Sequence, residues 1–197
     1  MRASERKIQI LDAAIEAFAK FGYERTSIAI ICEKAGIARP TLYQYFKDKR
    51  SVFRELLESY FLEVHNRLHE RQLVKAGNKQ MSPRETMNAM HVKILKEFLE
   101  HRNLYTILLK EAKARNAETD DIVDSIMKGM THQFVQELKE NPGAKNMDEE
   151  EMEFVVVYML GGLMQVVESY LYSNENTLSV EEIAEKLSFI ESRIKNG

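Results

Sequence analysis

Apolar residues in this chain recur at steps of three and four rather than two, and that period predicts helices from one end to the other. Ile8, Leu11, Ile15 and Phe18 make one stripe, with Ser4 available as N-cap and Gly22 as terminator. Thr26 is placed to cap a short second helix through Ala35, which Gly36 ends because glycine takes positive φ without steric cost. A third short helix is expected from about Arg39 to Phe46. Asp48 can then cap a long fourth one carrying Val52, Phe53, Leu56, Leu57, Tyr60, Phe61, Val64 and Leu68. Ala76-Gly77-Asn78-Lys79-Gln80 reads as a loop, and Ser82-Pro83 restarts a helix with Met87, Met90, Ile94 and Phe98 on one face. Further helices are expected at about 103–115, 119–140, 148–173 and 179–195, broken by Asn141-Pro142-Gly143 and by Ser173-Asn174-Glu175-Asn176. No stretch alternates as a strand would, so the pattern predicts an all-α fold of about nine helices.

Composition narrows the classes open to such a chain. Its 197 residues are 44% hydrophobic, enough for a real core, and its single cysteine provides neither an intrachain disulfide nor a cysteine-rich metal site. The N-terminus has no apolar stretch behind its charges, which argues against a signal peptide. The longest nearly uninterrupted apolar run, Phe154 to Val167, falls short of the roughly 20 residues that span a bilayer, and Gln165 interrupts it. No membrane span and a cytoplasmic location are expected. The net charge of -3 conceals a division: residues 1–50 hold ten Lys/Arg and six Asp/Glu, net +4, and the rest is acidic at -7. Apart from Met1, all the methionines lie at or beyond position 81. The charge division predicts a basic contact head at 1–50 and an acidic body at 51–197, and the methionine division likewise sets two regions of different purpose apart.

The head holds the motif. A short helix, a tight turn through Gly36 and a second short helix, followed by a basic cluster, let one helix enter a DNA major groove while the other braces it. Phe18, Gly22, Tyr23, Thr26, Ile31, Ala35, Gly36, Thr41, Leu42, Tyr43, Tyr45, Phe46 and Lys49 fall at the spacing of a known signature. Over about 50 residues the chain resembles the TetR family of bacterial transcriptional regulators. It departs from the family pattern at Cys32, where alanine is usual, at Ile30, where a polar residue is common, and at Ala38, where serine commonly caps the recognition helix. Loss of a serine cap costs about 1 kcal/mol, which Pro40 offsets in part because a first-turn proline has its φ preset.

Thr26 and Ser27 begin the second helix, where hydroxyls and free backbone N–H groups suit a phosphate. Arg39, Pro40, Thr41, Tyr43, Gln44 and Tyr45 lie on the third, where a helix-turn-helix meets base edges. Arginine pairs bidentately with guanine and glutamine with adenine. The resemblance puts Lys49 on the phosphate backbone. Leu42 and Phe46 are expected in the core, and Cys32 beside Ile31 packs inward as a small hydrophobe. His65 and His69 lie one turn apart with no third ligand evident, so no metal and no cofactor is expected.

The body is read from its own residues. Phe154 to Val167 is apolar on every face, which calls for burial by its own domain on one side and a second chain on the other. Gly161 and Gly162 permit close approach, and the stripe Val180, Ile183, Leu187, Ile190 and Ile194 can complete a four-helix interface, as in TetR-like homodimers. Two-fold pairing suits a pseudo-palindromic double-stranded operator, with recognition helices roughly 34–36 Å apart. The resemblance also implies a small-molecule effector in the body. Candidate lining residues are Met87, Met90, His91, Ile94, Tyr105, Leu108, Leu109, Met127, Met130, Phe134, Tyr158, Met164 and Gln165, a set that suits an apolar or aromatic ligand. A repressor released by ligand is the expected function, with a ligand-independent DNA binder or an activator as alternatives. No catalytic motif supports an enzyme.

Overall fold

The computed structural model describes residues 3–75, 83–139, 144–173 and 178–196. The side chains of 63–75, 83, 84, 86 and 191–196 fall outside that description, and with them His65, His69, Val64, Leu68 and Ile194. The predicted loop 76–80, the break 141–143 and residues 174–176 also lie outside the described residues. The rest is helical: α1 (Ala3–Arg25), α2 (Ile28–Ala35), α3 (Arg39–Tyr43), α4 (Lys49–Lys75), α5 (Pro83–Glu100), α6 (Arg102–Ala114), α7 (Asp120–Lys139), α8 (Glu149–Val166) and α9 (Val180–Asn196). Among the described residues there is no strand.

The start and stop signals act largely where the sequence places them. Gly22 breaks α1 with φ 76° and ψ 169°, and Gly36 closes α2 at φ 63°, where the Ile37 N–H reaches the Cys32 carbonyl at 3.0 Å. Asp48 and Ser51 cap α4 reciprocally: the Ser51 N–H donates to Asp48 Oδ1 at 2.7 Å and the Asp48 N–H to Ser51 Oγ at 3.1 Å. Asp148 with Glu151 and Ser179 with Glu182 do the same for α8 and α9.

Three expectations need correction. The cap of α2 is Ser27, whose Oγ accepts from the Ile30 N–H at 3.3 Å, not Thr26. In α1, Ile8 is 59% exposed, and the core side is Ile10, Ala13, Ala14, Ala17 and Phe18, one position round from the predicted stripe. The third helix ends at Tyr43 instead of Phe46, in tight turns where the Gln44 N–H meets the Thr41 carbonyl at 3.3 Å and the Tyr45 N–H meets Leu42 at 2.9 Å. Ala38 supplies no side-chain cap, as its methyl dictates, and Pro40 occupies the first turn. Its φ of -77° and ψ of 149° already suit a capping residue. Ala38→Ser should therefore stabilise the protein by about 0.5–1 kcal/mol and raise Tm by about 1–4 °C in thermal unfolding.

The chain forms two compact units, Met1–Asn66 with Asn103–Gln136, and Arg67–Arg102 with Glu137–Gly197. Compactness thus does not divide at residue 50, because α6 and α7 belong with the head. The first unit is built on Phe18, Tyr23 and Phe53: Phe18 stacks on Tyr23 at 5.8 Å, and Phe53 meets both edge-on at 5.3 and 5.0 Å. Leu42, Ile31 and Val52 close around them without exposure.

In the second unit α5 packs on α9. Buried His91 Nδ1 lies 2.9 Å from Ser188 Oγ, which donates to the Ala184 carbonyl at 2.8 Å, so the imidazole is the donor of that pair. Helix α8 runs on into a π-helical turn at Val167–Leu171. The Tyr172 hydroxyl then donates to the Phe98 carbonyl at 2.9 Å, and Arg102 lies 5.0 Å over the Tyr172 ring. The helical stretch Glu149–Leu171 is 23 residues long and contains an 18-residue window of mean hydropathy 1.5, so by length and composition alone it could cross a membrane. One side of it, at Met152, Val156, Leu160 and Val167, is buried within the chain.

Candidate nucleic-acid interface

The helix-turn-helix is held from behind and presents a polar row in front. Leu42 and Phe46 are buried, which fixes the roll of α3. Arg39, Pro40, Tyr43 and Gln44 then face outward, with Tyr43 54% exposed, while Thr41 and Tyr45 are half-buried. An exposed tyrosine beside an arginine and a glutamine, on a helix whose other face is fully packed, offers donors, an acceptor and a π face without any rearrangement of the head.

Two residues expected at phosphate are turned inward. Thr26 is 2% exposed and its hydroxyl bonds the Gly22 carbonyl at 2.7 Å and the Ala17 carbonyl at 3.2 Å, closing the break in α1. Ser27 is the exposed hydroxyl at the start of α2. Lys49 Nζ donates to the Tyr23 carbonyl at 2.9 Å and sits 4.0 Å over the Tyr23 ring, so its charge braces the head from within. Cys32 is buried, and that burial pushes its thiol up from the ordinary value, away from redox reactivity.

The structure also brings together a set of acidic residues that sequence reasoning missed. Glu111 of α6 is 5% exposed, and its Oε1 accepts the Tyr23 N–H at 3.0 Å. Glu118 accepts the Tyr23 hydroxyl at 3.0 Å; burial first, and this carboxylate second, push the phenol above its ordinary value. Asp121, at the start of α7, takes Arg50 on both oxygens at 2.7 and 2.6 Å and Arg54 at 3.2 Å. For Asp121 the local signal is ambiguous, because an acid in a first helical turn is explained by the helix dipole alone.

The hydrogen bond from Arg50 is the main cause that holds the Asp121 carboxyl below its usual value. A depressed folded-state value means that the stabilisation is complete above the ordinary carboxyl range of about 4 and is lost as pH falls through the lowered value. In acid titrations followed by unfolding, the stability gap between wild type and Asp121→Asn should be present at pH 6 and close progressively below about pH 4.

The ligand candidates are divided between the two compact units. Tyr105, Leu109, Met127, Met130 and Phe134 lie in the first unit, where Tyr105 is buried edge-on to Tyr60 at 5.8 Å. Met90, Ile94, Tyr158, Met164 and Gln165 lie in the second. Tyr158 is 69% exposed and Met90 41%, and Gln165 is on the surface donating to Ser169 Oγ at 2.9 Å, so these three are surface residues, not part of an enclosed wall. Elsewhere, Glu97, Glu100 and His101 bring possible ligand atoms within 4.8 Å of one another, but His101, the residue after α5, meets Glu97 one turn back at 3.3 Å, a contact between helical neighbours that needs no metal.

Residues 10–56, which hold all the helix-turn-helix elements above, match the family model described as bacterial regulatory proteins, tetR family. The head of this chain is thus similar to the DNA-binding domain of TetR-family regulators. Among curated proteins the chain is 29% identical over 122 residues to the fatty acid metabolism regulator protein of Bacillus subtilis (strain 168), 62% of this chain and 60% of that one. It is 41% identical over 66 residues to the regulator TtgR of Pseudomonas putida, 34% and 31% of the two chains. The matched stretch thus spans less than two thirds of either relative. Among solved structures, a putative TetR-family regulator from Syntrophomonas wolfei superposes with TM-score 0.78 at 19% identity, covering 100% of this chain and 97% of that one. FadR from Bacillus subtilis in complex with stearoyl-CoA superposes with TM-score 0.74 at 21% identity, covering 93% and 96%. At those identities the likeness establishes the fold. The relatives are regulators by name, in line with the expectation that the chain is not an enzyme.

Proposed function

We propose that this protein is a homodimeric repressor of the TetR family that binds a pseudo-palindromic operator and is released by a long-chain acyl ligand. The observation that carries the DNA-binding part is the outward row Arg39, Pro40, Tyr43 and Gln44 on a recognition helix locked by Leu42 and Phe46. Ser27 and the free N–H groups at the start of α2 supply a phosphate contact. Lys49 and Thr26 hold the head that carries them.

The dimer reading rests on exposed apolar side chains. On α8, Phe154, Val157 and Tyr158 are 74%, 53% and 69% exposed, and they share a face with Gly161, where nothing lies within 4 Å of an added Cβ. On α9, Phe189 and Ile190 are 46% and 54% exposed. Uncovered aromatics of this size call for a partner, and a second copy satisfies a self-complementary helical face best.

The acyl ligand is favoured by two relatives, one a fatty acid metabolism regulator and one holding stearoyl-CoA. Within this chain, Leu109, Met127 and Phe134 are half-buried and Met130 and Tyr105 buried in the first unit, with Tyr105 edge-on to Tyr60 of α4, and such flexible and aromatic side chains suit an adaptable apolar site. Calorimetric titration with stearoyl-CoA tests it. Binding should accompany a roughly 5–150-fold loss of affinity for the DNA upstream of its own gene. No heat and unchanged DNA affinity at saturating acyl-CoA would remove the acyl reading.

A further inference from the structure

We infer that the corner between α6 and α7 is the docking element that fixes the orientation of the DNA-binding head, with Glu111 as its positioning residue; the functional consequence rests on the regulator reading above. Five side chains of the corner tie it to the head, at three levels. At the base, Lys110 donates to the Ala19 carbonyl at 3.1 Å and Glu111 takes the Tyr23 N–H. At the tip, Asn116 donates to Glu24 Oε1 at 2.8 Å and Glu118 holds the Tyr23 hydroxyl. On the α4 side, Arg50 Nε donates to the Glu118 carbonyl at 2.9 Å, and Arg50 and Arg54 share Asp121. Partners 67–95 residues apart are joined, so no local helix rule accounts for the set.

Glu111 is central because it answers a need created by the break in α1. Gly22 at φ 76° turns the next N–H out of the helical ladder, and a buried N–H without an acceptor is costly. Glu111 Oε1 meets it, and Thr119 Oγ1 approaches the other carboxylate oxygen at 3.4 Å, so the single buried carboxylate links α1, α6 and the start of α7. The corner is itself held in an unusual conformation: Arg115 has φ 49°, a left-handed value rare outside glycine, and is braced by Asp124 at 3.4 Å and Asp120 at 3.8 Å. A displacement of α6 or α7 therefore reaches the recognition helix through Tyr23 and the aromatic core as well as along α4.

Glu111→Ala, the conservative Glu111→Gln and the surface variant Asp121→Asn test this by three readouts. The first is exchange of the Tyr23 amide, expected to quicken at least tenfold in Glu111→Ala and to stay near wild type in Glu111→Gln, whose amide oxygen still accepts. The second is the distance distribution between spin labels on Ser27→Cys and Ser125→Cys in a Cys32→Ala background, diluted with unlabelled protein. It should be narrow in the parent, clearly wider in Glu111→Ala and moderately wider in Asp121→Asn. The third is preference for the protein's own upstream DNA over random duplex, expected to fall about tenfold in Glu111→Ala with random-sequence affinity unchanged. Unchanged distance widths in both Glu111→Ala and Asp121→Asn would overturn the proposal, and Asp121→Asn keeps that test open should Glu111→Ala fail to fold. A parent protein without DNA preference would sink the regulator reading, while the distance measurement still decides the role of the corner.

Discussion

Phe154→Asp should convert the protein to a monomer and with it abolish tight operator binding. Phe154 is 74% exposed within its own chain, so the substitution removes little from the monomer's core and its stability should change by less than about 1 kcal/mol. In a two-fold interface the same side chain is buried twice. Losing about 2 kcal/mol of burial in each copy and placing an unpaired carboxylate in each raises the dimer dissociation constant by at least about a thousandfold. Sedimentation should show the parent as a dimer and Phe154→Asp as a monomer at micromolar concentration. DNA affinity should fall with it, because one head makes half the contacts. A parent that sediments as a monomer removes both the dimer and the two-fold operator from the account.

Removing the outward row of α3 should separate the roles of its members. Gln44→Ala takes away a base-reading amide without touching charge or core. At about 1–3 kcal/mol for each half-site, binding to the specific site should weaken about 30-fold or more for the dimer, with binding to random DNA unchanged. Arg39→Ala removes two cations from the dimer. If Arg39 neutralises phosphate, the slope of log affinity against log salt should become shallower by about 1.8, and binding to all sequences should fall together. If it reads guanine, the specific site alone should suffer. Lys49→Ala behaves differently, because its ammonium serves the Tyr23 carbonyl and ring: the loss appears in head stability before it appears in the salt slope.

The contrast between Lys49 and Gln44 shows what the sequence could convey. Periodicity, the two turn glycines, the acidic caps and the missing cap at Ala38 are signals written within four residues of where they act, and the helices follow them closely. The inward turn of Lys49 and Thr26 was hidden, because each satisfies groups brought near by the break at Gly22, and a lysine or threonine at a helix start looks the same whether it faces a carbonyl or a phosphate. Glu111, Glu118 and Asp121 were hidden for a stronger reason: their partners lie in the head, far along the chain. The exposed face of α8 was legible as a run apolar all round, but which residues face out needed the packing of Met152, Val156 and Leu160.

The central claim is sequence-specific DNA recognition by the α3 row, and anisotropy titration at one fixed salt concentration tests it most directly. Labelled duplex from upstream of the protein's own gene is compared with a shuffled duplex of equal length. The account predicts a preference of about a thousandfold or more for the upstream site, lost largely in Gln44→Ala. Equal affinity for the two duplexes, or a preference that Gln44→Ala and Tyr43→Ala leave intact, would contradict it.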